Sequence, residues 1–158
     1  MKVIINRLNS NNTHLIVNWC KNKDESFLRQ WAGNGYSYPL TEQQICDRLA
    51  DGAEIYEAHL DDKMIGTIEV ISRNKQEHTA LIGRFVLDQT IVQKGLGTKM
   101  LLAFLEYCKE MLGIREVTLF VFDFNFAAHR CYQKCGFVEE GIEERPNGWK
   151  AIRMRKLL

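Results

Sequence analysis

The segment "TALIGRFVLDQTIVQKGLGTKMLLAFLEYCKEMLGIREVTLFVFDFN", residues 79–125, changes its hydrophobic period twice. Its two ends, "TALIGRFVLD" and "EVTLFVFDF", are almost continuously apolar, as central strands of a sheet are. Between them Leu101, Leu105, Cys108 and Leu112 recur at helical spacing, with Lys99, Glu106 and Glu110 marking a polar stripe. A strand–helix–strand unit of this kind joins strands of one sheet by a crossover. On either side the sequence predicts hairpins instead. "AEIYEAHLDDKMIGTIEVISR" reads as two strands around Asp61–Asp62–Lys63, and "FVEEGIEE" with "WKAIRMRKLL" as two strands around Pro146–Asn147–Gly148. Crossover and hairpins together predict a mixed sheet.

The N-terminal third is helical after a first strand, "KVIINRL". "NNTHLIVNWCKN" places Leu15, Ile16, Trp19 and Cys20 at helical spacing, and "DESFLRQWAG" is a second helical piece stopped by Gly33 and Gly35. In "TEQQICDRLADG" Thr41 caps, Ile45 and Leu49 form the apolar stripe and Gly52 ends the helix. "NFAAHRCYQKC", ended by Gly136, is a short late helix. There is no repeat and no linker, so residues 1–158 are read as one domain.

Bulk properties narrow the function. A formal net charge of +1 lacks the basic excess of nucleic-acid binders. No apolar run approaches membrane-spanning length, and "MKVIINRLNS" lacks the apolar core of a signal peptide. The five cysteines form no CxxC pair. Cys131 and Cys135 share a helix face, but no His or Cys pair completes a zinc set, so the thiols are read as reduced, in a cytoplasmic protein, and no metal is expected.

Two stretches carry candidate chemistry. In "VQKGLGTK", residues 92–99, a strand gives way through Gly95 and Gly97 to a helix starting near Thr98. A helix N-terminus offers free N–H groups and partial positive charge, which suits a phosphate, and Lys94 adds a full charge. The same glycines also suit a plain turn. The segment is not a Walker loop and lacks the third glycine of a dinucleotide fingerprint. In "NFAAHRCYQKCGF" Asn125 can cap the helix, and Ala128 and Tyr132 lie one turn apart on one face. Alone, that pattern equally describes a cap, a core tyrosine and a glycine stop.

Taken together, the two stretches resemble the GCN5-related N-acetyltransferase (GNAT) superfamily. The resemblance runs through "ALIGRFVLD", "QKGLGTKMLLAFLEYC" and "VFDFNFAAHRCYQKCGF", and its second pattern is complete at Asn125, Ala128, Tyr132, Lys134, Gly136 and Phe137. It implies a mixed α/β (α+β) fold with a central, mostly antiparallel, twisted sheet of about six to seven strands and helices on both faces. It implies acetyl transfer from acetyl-CoA to a primary amine of a small molecule or peptide. Tyr132 would be the general acid to the CoA thiolate. CoA would be held by Gln93, Lys94, Gly95, Leu96, Gly97, Thr98, Asn125, Ala128, Tyr132 and Lys134. The backbone of Val86 and Leu87 would bond the pantetheine arm between splayed strands.

The acceptor amine must be neutral to attack, so a base is needed, and Glu69, Glu57 and His59 are candidates, Glu69 foremost. His14, His78 and His129 read as surface residues. Trp31, Tyr36, Tyr38 and Arg84 are candidate acceptor contacts. Arg84, a charge inside an apolar strand, would bind a substrate carboxylate or pair with Glu69. Two rivals remain, a non-catalytic acyl-CoA sensor and a different nucleotide-binding protein. The chain would be a monomer or homodimer, pairing through an edge strand near residues 148–157. The loop departs from the family pattern at Val92, where an Arg or Gln is usual, and at Gln93, where a Gly is usual. Val92→Arg is therefore expected to tighten CoA binding in calorimetric titration, and a weaker affinity would show that the loop register is wrong.

Overall fold

Asp61 and Asp62 both take left-handed backbone, with φ of 50° and 65°. That is the conformation of a two-residue hairpin turn whose twist matches the flanking strands, and it folds β2 (Glu54–Leu60) antiparallel onto β3 (Lys63–Asn74). The computed structural model describes residues 2–91 and 95–158. Before the hairpin come β1 (Val3–Arg7), a 3-10 turn (Ser10–Asn12), α1 (Thr13–Cys20), α2 (Glu25–Ala32) and α3 (Glu42–Ala50). After it come β4 (Thr79–Leu87), α4 (Leu96–Leu112), β5 (Glu116–Phe122), α5 (Phe126–Lys134), β6 (Val138–Glu144) and β7 (Lys150–Leu157).

The strands make one mixed seven-stranded sheet in the order β1-β2-β3-β4-β5-β7-β6. The two strands expected to be central, β4 and β5, are internal and pair in parallel. Their ladder has three pairs, Thr79↔Glu116, Ala80↔Val117 and Leu81↔Thr118. On its other side β5 pairs antiparallel with β7 along its whole length, from Glu116↔Leu157 to Phe122↔Ala151. The edge assignment needs correcting. Strand β7 lies between β5 and β6, so the edge is β6, which is exposed throughout. The segment near 148–157 is internal, with its apolar Ala151, Ile152 and Met154 buried.

The chain divides into two compact units, residues 1–71 with 83–96, and residues 72–82 with 97–158. The first has a core of Leu8, Ile16, Trp19, Leu28, Ala32, Leu40, Ile45, Ile55, Met64 and Val86. Thr41 caps α3 as the sequence predicts, accepting from the Gln44 N–H, and Asp24 caps α2, accepting from the Phe27 N–H. The second unit draws its interior from α4 (Met100, Leu101, Phe104, Leu105, Cys108) and from alternate residues of β5 (Val117, Leu119, Val121). Helix α4 begins at Leu96, two residues earlier than expected, so Gly97 is helical. Among the described residues no helix is long and apolar enough to cross a membrane.

Helix α5 is closed at both ends by local chemistry. Asn125 accepts from the Ala128 N–H at its start. At its end the Phe137 N–H returns to the Tyr132 carbonyl (3.1 Å) and the Gly136 N–H to the Gln133 carbonyl (3.0 Å). This is the Schellman arrangement, and it requires the left-handed φ of 94° that Gly136 adopts. Its usual apolar partner contact is also present, since the Tyr132 and Phe137 rings meet edge to face with centroids 6.0 Å apart. A Cβ at Gly136 would stand 2.6 Å from Lys156 Nζ, a flexible side-chain end that can move, so the backbone sets the cost. Gly136→Ala should therefore lower stability by about 1–2 kcal/mol, seen as an earlier urea midpoint with unchanged slope.

Candidate functional site

Tyr132 is held by this closure rather than by its own polar contacts. It is 7 % exposed, on the buried side of α5. Burial raises its phenol pKa above the ordinary value, and charge on Cys131 and Cys135 pushes the same way. The group therefore stays protonated, the state a proton donor needs. The neighbouring turn of α5 meets the start of α4, because the Thr98 hydroxyl donates to Cys131 Sγ (3.5 Å) and the Cys135 thiol reaches the Thr98 carbonyl (3.9 Å). Tyr132 is thus carried on a turn that touches the N-terminal turn of a 17-residue helix, where unpaired N–H groups and the helix dipole favour an anion.

Of the other residues named from the sequence for CoA, some lie at the start of α4 and on α5, some in the first unit, and some outside the described residues. Val92, Gln93 and Lys94 lie outside the described residues. Gly95, with φ of 70°, stands just before α4, and Leu96, Gly97 and Thr98 form its first turn. Asn125 and Ala128 make the α5 cap, which engages the Asn125 side-chain oxygen. Lys134 is exposed at the last position of α5. In the first unit Val86 is buried, and the Leu87 carbonyl already accepts from Gln89 Nε2 at 2.8 Å.

The candidate acceptor residues separate into two groups within the first unit. Glu69, 3 % exposed in β3, receives Arg48 on both oxygens (2.5 and 2.6 Å) and Arg84 on one (2.6 Å). The carboxylate holds the Arg48 guanidinium pKa above its ordinary value. Arg48 also lies over the Tyr36 ring, 5.2 Å from its centroid, and Tyr36 stands 5.9 Å from Trp31. Arg84 takes a φ of 50° within β4 and donates from Nε to the Ala32 carbonyl (3.2 Å). Gly35 allows this approach, because a Cβ there would sit 2.7 Å from Arg84 Nε. So Trp31, Tyr36, Arg84 and Glu69 assemble as one group, and Arg84 takes the ion-pair alternative. Tyr38 goes elsewhere. It is 49 % exposed and, with Val17, Phe27 and Leu40, lines a cavity of about 180 Å³ beside α1 and α2.

The other candidate bases also have partners. Glu57 is buried and accepts from the Asn9 N–H (2.8 Å), Asn12 Nδ2 (2.8 Å) and the His59 ring Nε2 (2.7 Å). Among the surface histidines, His14 and His78 are exposed, while His129 is half-buried against Glu139. Arg48 was not singled out from the sequence. It follows the apolar Ile45 by three on α3, a position that borders the buried stripe, and that offset was the available signal.

Residues 17–137 match the acetyltransferase (GNAT) family. This protein belongs to that family, and the match runs through both units. A spermine/spermidine N(1)-acetyltransferase of Bacillus subtilis is 31 % identical over 78 residues, 49 % of this chain and 51 % of that protein. An L-amino acid N-acetyltransferase of Escherichia coli is 31 % identical over 103 residues, 63 % of each chain. The matched regions thus cover between half and two-thirds of these relatives. Among solved structures, the spermidine N-acetyltransferase of Vibrio cholerae in complex with CoA and spermine superposes with a TM-score of 0.80 at 20 % identity, covering 99 % of this chain and 95 % of that one. AAC(6')-Ib in complex with ribostamycin and coenzyme A gives 0.78 at 22 % identity, covering 99 % of this chain and 94 % of that one. These likenesses establish the shared fold.

Removing the Glu69 carboxylate would leave two guanidiniums facing each other in a half-buried space. Glu69→Ala is expected to destabilise the protein by about 3 kcal/mol, measured by urea unfolding. A full-stability Glu69→Ala protein with lost turnover would instead identify Glu69 as the base.

Proposed function

We propose that the protein is an acetyl-CoA-dependent N-acetyltransferase in which Tyr132 is the general acid. The observation that carries this reading is the placement of a buried, protonated tyrosine on a turn that touches the N-terminal turn of α4 through Thr98 and Cys131. The family assignment and the fold support it. The start of α4 supplies backbone N–H groups and a dipole for the CoA pyrophosphate, which need no particular side chain. A neutral primary amine attacks the thioester carbonyl carbon, the C–S bond breaks, and the Tyr132 hydroxyl proton goes to the departing thiolate; the surplus proton on the new amide nitrogen leaves to water, and water returns a proton to the Tyr132 phenolate. An alkylthiol is a far weaker acid than a carboxylic acid, so a proton held near the sulfur stabilises the charge developing there.

The named relatives act on polyamines and on L-amino acids. Glu69 is already matched by two guanidiniums, so it offers no free charge to a polyamine ammonium. The acceptor panel should accordingly run from spermidine to single L-amino acids.

Tyr132→Phe keeps the ring and its packing on Phe137 but removes the transferable proton. Thiol release from acetyl-CoA with the best acceptor should fall about 100-fold, within the range for general-acid loss, while CoA affinity stays within about twofold. Unchanged turnover would remove Tyr132 from the mechanism. CoA binding without thiol release for every amine in the panel would make the protein a sensor.

A further inference from the structure

Two thiols beside Tyr132 have no part in acetyl transfer, and their arrangement is specific. Cys131 lies on α5 and Cys135, four residues on, is the C-cap of that helix, so the two sit one turn apart. Cys131 is half-buried, whereas Cys135 is buried at the helix cap. Thr98 of α4 clamps both, donating from its hydroxyl to Cys131 Sγ at 3.5 Å and accepting at its carbonyl from Cys135 Sγ at 3.9 Å. The less buried thiol thus receives a hydroxyl donor, and the more buried one is bonded to the backbone of the same residue.

We propose that Cys131 and Cys135 form a thiol–disulfide exchange site, with Cys131 the attacking thiol and Cys135 the resolving one, whose oxidation reshapes the turn that carries Tyr132. The oxidant is a low-molecular-weight disulfide. The Cys131 thiolate attacks one of its sulfurs, forming a mixed disulfide and releasing one small thiolate, which takes a proton from water. The Cys135 sulfur then attacks Cys131 Sγ, its proton passing to the second leaving thiolate. The net change is one small disulfide reduced to two thiols and two cysteine thiols oxidised to one disulfide.

The geometry of the helix end makes the second step feasible. Residues four apart in an α-helix have Cα atoms about 6 Å apart, inside the span a disulfide bridges, but their Cβ atoms are about 5–6 Å apart, against roughly 4 Å in a disulfide. The last turn of α5 must therefore tighten. It has already begun to, because the Cys135 N–H is shared between the Cys131 and Tyr132 carbonyls, both at 3.1 Å. Tyr132 lies inside that turn, and its carbonyl also holds the Schellman bond from Phe137. Tightening disturbs the bonds that fix the tyrosine, and a bridge strained in this way is readily reversed by thiols.

The charges around the pair agree with the assigned roles. The Cys135 hydrogen bond, the Thr98 hydroxyl and the Lys134 charge together outweigh burial and pull the Cys131 thiol down to about 7. Its bond to Cys131 and its burial push the Cys135 thiol up, against a smaller pull from Lys156. Cys20 is an internal control, because burial pushes its thiol up to about 11. Deprotonation to the nucleophilic form is thus favoured at Cys131 and disfavoured at Cys20.

The test uses the intact protein and oxidised glutathione, read by peptide mass mapping. The unmodified sequence should lose two hydrogens as a Cys131–Cys135 bridge, Cys135→Ser should retain one glutathione on Cys131, and Cys131→Ser should show neither product. Alkylation by iodoacetamide, which needs no variant, should label Cys131 at least ten-fold faster than Cys20 at neutral pH. A first adduct on Cys20 or Cys46, or equal labelling of Cys131 and Cys20, would overturn the proposal. These readouts are independent of acetyl transfer. Only the expected loss of turnover on oxidation, restored by dithiothreitol, rests on the role of Tyr132, so bridge formation without lost turnover would count against that role and not against the exchange site.

Discussion

Glu69 carries a charge into the middle of the first unit because two guanidiniums meet it there. A lone carboxylate at 3 % exposure would be costly to ionise. Arg48 arrives from α3 and Arg84 from β4, so one side chain of β3 ties a helix and a neighbouring strand to itself. Other features of the unit follow from accommodating these partners. Arg84 takes left-handed backbone within β4 and bonds the Ala32 carbonyl at the end of α2, and Gly35 stays small to let the guanidinium pass. Left-handed backbone in a non-glycine residue is strained, and it persists where surrounding bonds over-determine it. Here those bonds come from Glu69 and Ala32.

This explains what the sequence made legible in that unit. The hairpin, the helix cap at Thr41 and the internal strands follow from local period and turn chemistry, and each is found. Arg84 was legible as an anomaly, a charge among apolar neighbours, and its pairing with Glu69 was one of the two readings open. Its backbone conformation was not legible, because it is imposed by partners far away in the chain. Arg48 was missed for the same reason. On α3 it looks like any polar residue beside an apolar stripe, and only the folded sheet brings Glu69 to it.

The second unit was more legible because its geometry is written locally. Strand β7 is the exception. Its place between β5 and β6 depends on which strands pair across the sheet, and chain order does not state that. Around Tyr132, by contrast, the capping and closing contacts of its helix lie within thirteen residues of sequence. Asn125 caps the start, Ala128 supplies the capped N–H, Gly136 provides the left-handed turn, and Phe137 packs on the tyrosine it helps to fix.

The family pattern in that stretch is therefore mostly a specification of a helix and its two ends. Of its six residues, Asn125, Ala128, Gly136 and Phe137 are accounted for by capping and closure, and Lys134 is exposed. Only Tyr132 combines burial with a transferable proton. A pattern that fixes geometry so fully leaves its variable positions free to acquire other chemistry. Cys131 and Cys135 occupy two such positions, flanking the tyrosine within the turn whose closing bonds it shares.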